Sequence, residues 1–183
     1  MKICVINFSG RKNGNCQNIA EKILSFYKDA KTDYFDFSNI EISGCGKCDY
    51  QCFKRRDNCP YISDDAAKIY NTVTQSDISF FIVPNYCDYP CANYFAFNER
   101  SQCVFQGDYI FLDKYLKAKK KFIVVSNGDK QNFYKAFEYQ VEDGEKADVL
   151  FLSAKKYGKK SIDGDLTQSS AALQDIEKFI AQN

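Results

Sequence analysis

DISFFIVP, residues 77–84, is the most continuous apolar run in the chain, and it stops at a proline. A strand with apolar residues at consecutive positions is buried on both faces, as in a parallel sheet covered by helices on either side. The segments around it fit that frame. KICVINF (2–8) reads as a buried strand, and residues 15–29 carry Ile19, Ile23, Leu24 and Tyr27 at helical spacing. TDYFDF (32–37) alternates as a second strand. Ser63, Asp64 and Asp65 then make a helix start, followed by Ala66, Ile69, Tyr70 and Val73 on one face. Beyond the central strand the pattern predicts a helix over about 91–100, a looser segment to about 119, and a strand KFIVVSN (121–127). A helix near 130–142, a strand ADVLFLSA (147–154) and a last helix near 167–181 complete it, with Ala172, Leu173, Ile176, Phe179 and Ile180 facing inward. Five strands, each followed by a helix, imply one α/β domain over residues 1–183, its parallel sheet sandwiched between helices. In such a sheet a ligand sits beyond the carboxyl ends of the strands, so those loops are the ones to read for function.

Composition removes several classes of function. The 183 residues are enough to bury a core without covalent staples. The chain has 25 basic and 24 acidic residues, a net charge of +1, and basic residues scattered apart from KAKKK at 117–121, so nucleic acid is not an expected partner. That lysine run reads as a helix end, where cations complement the dipole. No run approaches a membrane span, and the start alternates like a strand instead of showing a signal peptide; the expectation is a cytoplasmic protein. There is no histidine and no tryptophan, so 13 tyrosines and 16 phenylalanines must supply the bulk of the core.

Nine cysteines in a reducing compartment point to metal binding or redox chemistry more than to disulfides. Four of them, Cys45, Cys48, Cys52 and Cys59, fall within CGKCDYQCFKRRDNCP (45–60). Close spacing lets one loop wrap three thiolates around a small inorganic core while the fourth closes it. Gly44 and Gly46 permit sharp bends, and Lys47, Lys54, Arg55 and Arg56 would offset the thiolate charge. An iron-sulfur cluster, a zinc ion and metal-free thiols all stay open. Cys4, inside an apolar strand, reads as a small buried side chain.

The first strand-to-helix loop, SGRKNGNC (9–16), offers what a phosphate needs: backbone donors, a helix N-terminus and cations. An ordinary Gly/Asn turn with solvated cations fits it equally well. The loop matches neither GxxxxGK[ST] nor GxGxxG, so it gives no ATP or NAD fingerprint. SGRKNGN resembles the S-x-R-K-x-G-N-[TS] phosphate loop of the NADPH-dependent FMN reductase family, with Cys16 where threonine or serine is usual. Pro84, Asn85 and Tyr86 resemble the family's P-x-Y turn; Phe97, Glu99 and Arg100 its F-x-[DE]-R; and VLFLSAKKYGKKSIDGD (149–165) its last strand and following turn. The cysteine loop is similar to the compact motif of the iron-sulfur flavoproteins, with three residues, DYQ, where two usually separate the second and third cysteines.

The resemblance implies a flavodoxin-like sandwich with five parallel strands in the order 2-1-3-4-5. It implies FMN, with phosphate on the loop of Ser9, Arg11, Lys12, Asn13, Gly14, Asn15 and Cys16, the ring along Pro84, Asn85, Tyr86, Cys87 and Asp88, and further contacts from Asn127 and Gly128. Cys87 and Cys91 read as redox partners of the flavin, as alternative cluster ligands, or as packing in an aromatic turn. The main functional expectation is electron transfer between FMN and a 4Fe-4S cluster held by Cys45, Cys48, Cys52 and Cys59, in a homodimer or homotetramer that exchanges electrons with small redox proteins or a nicotinamide cofactor. No side chain is expected to act as a general acid or base. One alternative is an NAD(P)H-dependent flavin or quinone reductase without a cluster. Another is a non-enzymatic flavodoxin-like binding domain with structural zinc or free thiols.

Overall fold

A computed structural model describes residues 1–46, 48–55 and 58–182. Lys47 and Arg56, two of the cations expected to offset thiolate charge, lie outside the described residues. The chain runs β1 (Lys2–Asn7), α1 (Asn15–Phe26), β2 (Lys31–Asp36), α2 (Ala66–Thr74), β3 (Ile78–Tyr86), β4 (Tyr89–Pro90), α3 (Ala92–Glu99), α4 (Ser101–Val104), α5 (Tyr109–Lys117), β5 (Lys120–Ser126), α6 (Tyr134–Glu138), β6 (Asp148–Ser153) and α7 (Ser170–Ala181).

Five strands form the parallel sheet in the order β2-β1-β3-β5-β6, and β4 pairs antiparallel with the end of β3. Leaving out that two-residue strand, the order is the expected 2-1-3-4-5. β3 is central, as its unbroken apolar run requires; all its residues from Ile78 to Asn85 are buried. The period of two divides its side chains between two cores. Phe81 and Val83 face the layer of α2, α3 and α5, whereas Phe80 and Ile82 face α1 and α7. β1 divides in the same way, with Cys4 and Ile6 on the first side and Ile3 and Val5 on the second. The helices answer with single stripes: Cys16, Ile19, Ala20 and Ile23 on α1, and Ala172, Ile176, Phe179 and Ile180 on α7.

Two expectations are corrected. Residues 101–119 are not a loose segment but hold α4 and α5. The helix near 130–142 shrinks to the five residues of α6. The lysine run does complement helix ends, though through the next strand. Lys120 and Lys121 open β5 and point to opposite faces. Lys120 Nζ donates to the carbonyls of Tyr115, Leu116 and Ala118 at the end of α5, and Lys121 Nζ to those of Phe179 and Gln182 at the end of α7. Among the described residues no helix is long and apolar enough to cross a membrane.

Candidate functional site

The loop from β1 to α1 is built around short polar side chains. Buried Asn7 anchors it: its amide donates to Asp36 at 3.1 Å and its oxygen accepts from the Ser9 amide at 3.0 Å. Ser9 Oγ accepts from the Arg11 amide at 3.1 Å, and Asn13, at φ 54°, turns the chain back toward the helix. Gly14 is the N-cap of α1 and has no side chain to close the helix end. The first amides of a 12-residue helix therefore face the cleft with the positive end of its dipole behind them.

The turn before the last helix crosses this loop. Arg11 donates to the carbonyl of Ile162; Asn15 donates to Ser161 O at 2.9 Å and accepts from the Leu166 amide at 2.8 Å; Asn18 donates to Gly164 O at 2.8 Å. Asn127 Oδ1 holds the same turn by accepting from the Ser161 amide at 3.2 Å. Gly164 has φ 74°, and a β-carbon on it would stand 3.1 Å from Asn13 O, so the crossing is close enough to need glycine. Thus Asn15 and Asn127, expected at the cofactor, spend side-chain bonds on holding this strap. Gly128 has open space around it, and Lys12 is exposed.

On the ring side β3 runs on past Pro84 to Tyr86, and Cys87 and Asp88, both at positive φ, form a two-residue hairpin turn to Tyr89. Tyr86 and Cys87 are exposed, and Asp88 faces Lys130 at 3.6 Å. Asn85 is 7% exposed; its amide donates to Ser126 Oγ at 3.3 Å, while its Oδ1 is buried and has no partner among the described residues. Cys91 is buried, its thiol donates to Phe8 O at 3.4 Å, and burial pushes its pKa up to about 11. Burial raises the Cys16 thiol further. Both thiols are therefore neutral, and Cys16 lines the cleft.

Ser9, Arg11, Gly14, Asn15, Cys16, Pro84, Asn85 and Tyr86 come together around one cavity of about 70 Å³, closed by Val125, Ser161 and Ile162. That volume suits a phosphate group, not a flavin ring, so the ring would lie on the open surface along Pro84 to Asp88. Larger cavities, about 420 Å³ beside Tyr115 and Gln140 and about 590 Å³ beside Glu138 and Lys146, lie away from this chemistry. The sequence reading missed Val125 and the strap residues Ser161 and Ile162. The SIDGD turn was the available signal, since a Gly-Asp turn directly before a helix marks a loop near strand ends.

The residues present fit FMN. The open end of α1 supplies donors for a phosphate, and the unpartnered Asn85 Oδ1 supplies an acceptor for an N–H group. They do not fit a cluster in the same way. Cys45 donates to Glu99 O at 3.1 Å, Cys52 is buried in a 3-10 turn over Gln51–Phe53, Cys48 is half-buried, and Cys59 turns to Arg100. Among the described residues, no group of three or more cysteine or carboxylate side chains is arranged to hold a metal ion. Arg100, 1% exposed, fastens this loop to the sheet layer. It pairs with Asp64, donates to Tyr61 O at 2.9 Å and to Ser43 O at 3.3 Å, and meets two sulfurs.

A parallel sheet of this order, with an open glycine-capped loop at its switch point, defines the flavodoxin-like class of α/β proteins. Residues 1–116 match the family described as NADPH-dependent FMN reductase, and the chain belongs to that family. No curated protein matches the sequence. Among solved structures, the chain is similar to a flavone reductase (TM-score 0.64, 15% identity, 98% of this chain and 62% of that one). It is also similar to the Trp repressor binding protein from Bacillus subtilis (TM-score 0.62, 18% identity, 99% and 98%) and to azoreductase AzrA (TM-score 0.61, 12% identity, 98% and 97%). The chain spans less than two thirds of the flavone reductase and nearly the whole of the other two. At these identities the likeness concerns the fold.

Proposed function

We propose that the chain is an NAD(P)H-dependent flavin reductase that moves reducing equivalents from a nicotinamide through FMN to a small acceptor. The observation that carries this is the pairing, across one phosphate-sized cavity, of the open α1 N-terminus with the unpartnered Asn85 Oδ1. FMN, when bound, supplies the hydride acceptor and donor. The chain's own residues would do the rest. Backbone amides at Gly14 to Cys16 would bind the phosphate, with the Arg11 and Lys12 cations beside it. Asn85 would accept from the ring edge and fix its orientation. Tyr86, exposed on the hairpin, would cover one ring face and exclude water. No side chain is required to move a proton. The reductases and azoreductase among the structural neighbours fit this class of acceptor chemistry.

The test is FMN titration of the purified chain followed by NADH and NADPH oxidation with a quinone or azo dye as acceptor. Stoichiometric FMN uptake and acceptor-dependent oxidation are expected; a chain that rejects FMN would sink the reading.

The second reading is electron transfer between FMN and a 4Fe-4S cluster on Cys45, Cys48, Cys52 and Cys59. What favours it is the concentration of four thiols in one sixteen-residue loop. The bonds that Cys45 makes to Glu99 O and Arg100 makes to Cys59 weigh toward the reductase. Iron and sulfide analysis after anaerobic reconstitution separates the two.

A further inference from the structure

Cys103 lies outside the cysteine-rich loop and has no part in the reductase reading, yet it meets the same guanidinium as Cys59. Arg100 Nε donates to Cys103 Sγ at 3.3 Å, and Nη2 to Cys59 Sγ at 3.8 Å. The two nitrogens belong to one rigid planar group, so the sulfurs accepting from them are brought together. Cys59 is close enough to Cys103 to act on its thiol. Both are free and buried, Cys59 in the irregular loop and Cys103 in α4. Of the other cysteines of the loop, Cys45 donates to Glu99 O and also lies near both of these sulfurs, and Cys52 is held in its 3-10 turn near Cys59.

We propose that Cys59 and Cys103 form a reversible disulfide that ties the cysteine-rich loop to α4, with a hydroperoxide as oxidant. Cys59 Sγ attacks the outer oxygen of the hydroperoxide, the O–O bond breaks, and the alcohol leaves with the thiol proton; Cys59 is then a sulfenic acid. Cys103 attacks that sulfur, the S–O bond breaks, water leaves and the S–S bond forms. Two thiols are oxidised and one hydroperoxide is reduced to alcohol and water. A small dithiol reverses the step by exchange and is itself left as a disulfide. Cys59 is the entry point because a loop opens more readily than a helix packed in the core. The proposal requires no flavin and stands whether or not the chain reduces one.

The experiment is peptide mapping of the full chain after graded hydrogen peroxide, with free thiols alkylated and the digest kept unreduced. The exposed Cys87 serves as an internal gauge of oxidant. At the dose that consumes Cys87, a peptide pair joining Cys59 to Cys103 is expected, returning to two alkylated thiols after dithiothreitol and absent from Cys103→Ser. If the variant does not fold, mapping of the unaltered chain decides alone. The proposal is overturned if both thiols stay alkylatable at that dose or if Cys59 is joined to Cys45, Cys48 or Cys52. Anaerobic loading of iron and sulfide that shields Cys59 from alkylation would also overturn it.

Discussion

Asn15 and Leu166, 151 positions apart, are joined by a 2.8 Å hydrogen bond from the Leu166 amide to Asn15 Oδ1, while the other end of the same side chain donates to Ser161 O. Asn15 is 4% exposed, so these backbone groups have little access to water as substitutes. One short side chain thus fixes the start of the 3-10 turn over Leu166–Gln168 that leads into α7, and holds a strap across the phosphate loop. Asn15→Ala should cost about 2 kcal/mol of stability, the range for stranding buried polar partners. It should also weaken FMN binding by about tenfold through a looser loop, equivalent to about 1.4 kcal/mol. Urea unfolding of the apo chain and FMN titration check the two effects separately. An unchanged unfolding midpoint would show that the strap does not depend on this residue.

Asn85 predicts the opposite pattern. Its Oδ1 is buried and unpartnered, and its amide makes one long bond to Ser126 Oγ. An apolar side chain of similar size removes a desolvated acceptor and loses little. Asn85→Leu should therefore leave the apo chain within about 1 kcal/mol of the parent, because the relief of the orphan offsets the lost bond. FMN binding should fall about tenfold or more, since the acceptor for the ligand is gone. Calorimetric unfolding and FMN fluorescence quenching are the measurements; unaltered FMN affinity would remove Asn85 from the site.

Arg100 is the anchor of the cysteine-rich loop. Its side chain is 1% exposed and pairs with Asp64, whose other oxygen accepts from the Ala66 amide at the start of α2 at 3.0 Å. Removing Arg100 leaves a carboxylate with little water, takes the Arg100 bond from Ser43 O, and leaves Tyr61 O with the Asp64 amide at 3.1 Å. Arg100→Met should cost about 3–5 kcal/mol. Adding Asp64→Asn should recover part of that, because the uncompensated charge disappears while the cap on Ala66 remains. A double-mutant cycle by urea unfolding checks this; additive losses would mean the ion pair is not the coupling.

The sheet was legible because β1 and β3 carry apolar residues at nearly every position, a pattern only a doubly covered strand tolerates. α5 was not, because exposed Tyr109 and Ile110 run directly into its inward stripe of Phe111, Leu112, Tyr115 and Leu116 and blur the period. Its start signals were present, with Gly107 at φ 73° and Asp108 accepting from the Phe111 amide at 3.0 Å, but the apolar run across the start hid the face that would confirm them. β4 escaped because the turn before it uses Cys87 and Asp88 at positive φ in place of glycine. In the site, the residues of one loop were readable together. The strap was not, since its bonds to Arg11 and Asn15 join carbonyl groups that every residue has.

Lys120 makes stability depend on pH in a direction unusual for a lysine. It is 5% exposed, and burial pushes its pKa down to about 7 although its ammonium finds three carbonyls at the end of α5. Below pH 7 both folded and unfolded chains hold the proton, and the folded chain bears the full desolvation cost. Between the folded value and the ordinary lysine range, the unfolded chain holds more protons, so raising the pH releases that cost and stability increases. The slope should approach about 1.4 kcal/mol per pH unit. The gain should reverse near pH 9. There the unfolded chain begins to ionise thiols that burial holds up in the fold: Cys4, pushed to about 12, and Cys45 and Cys91, each pushed to about 11. Those groups bind more protons folded than unfolded, which turns the slope negative. Urea unfolding from pH 6 to 10 should therefore show a maximum near pH 9, and Lys120→Met should flatten the rising limb while keeping the fall. A rising limb that survives in Lys120→Met would assign it to another group.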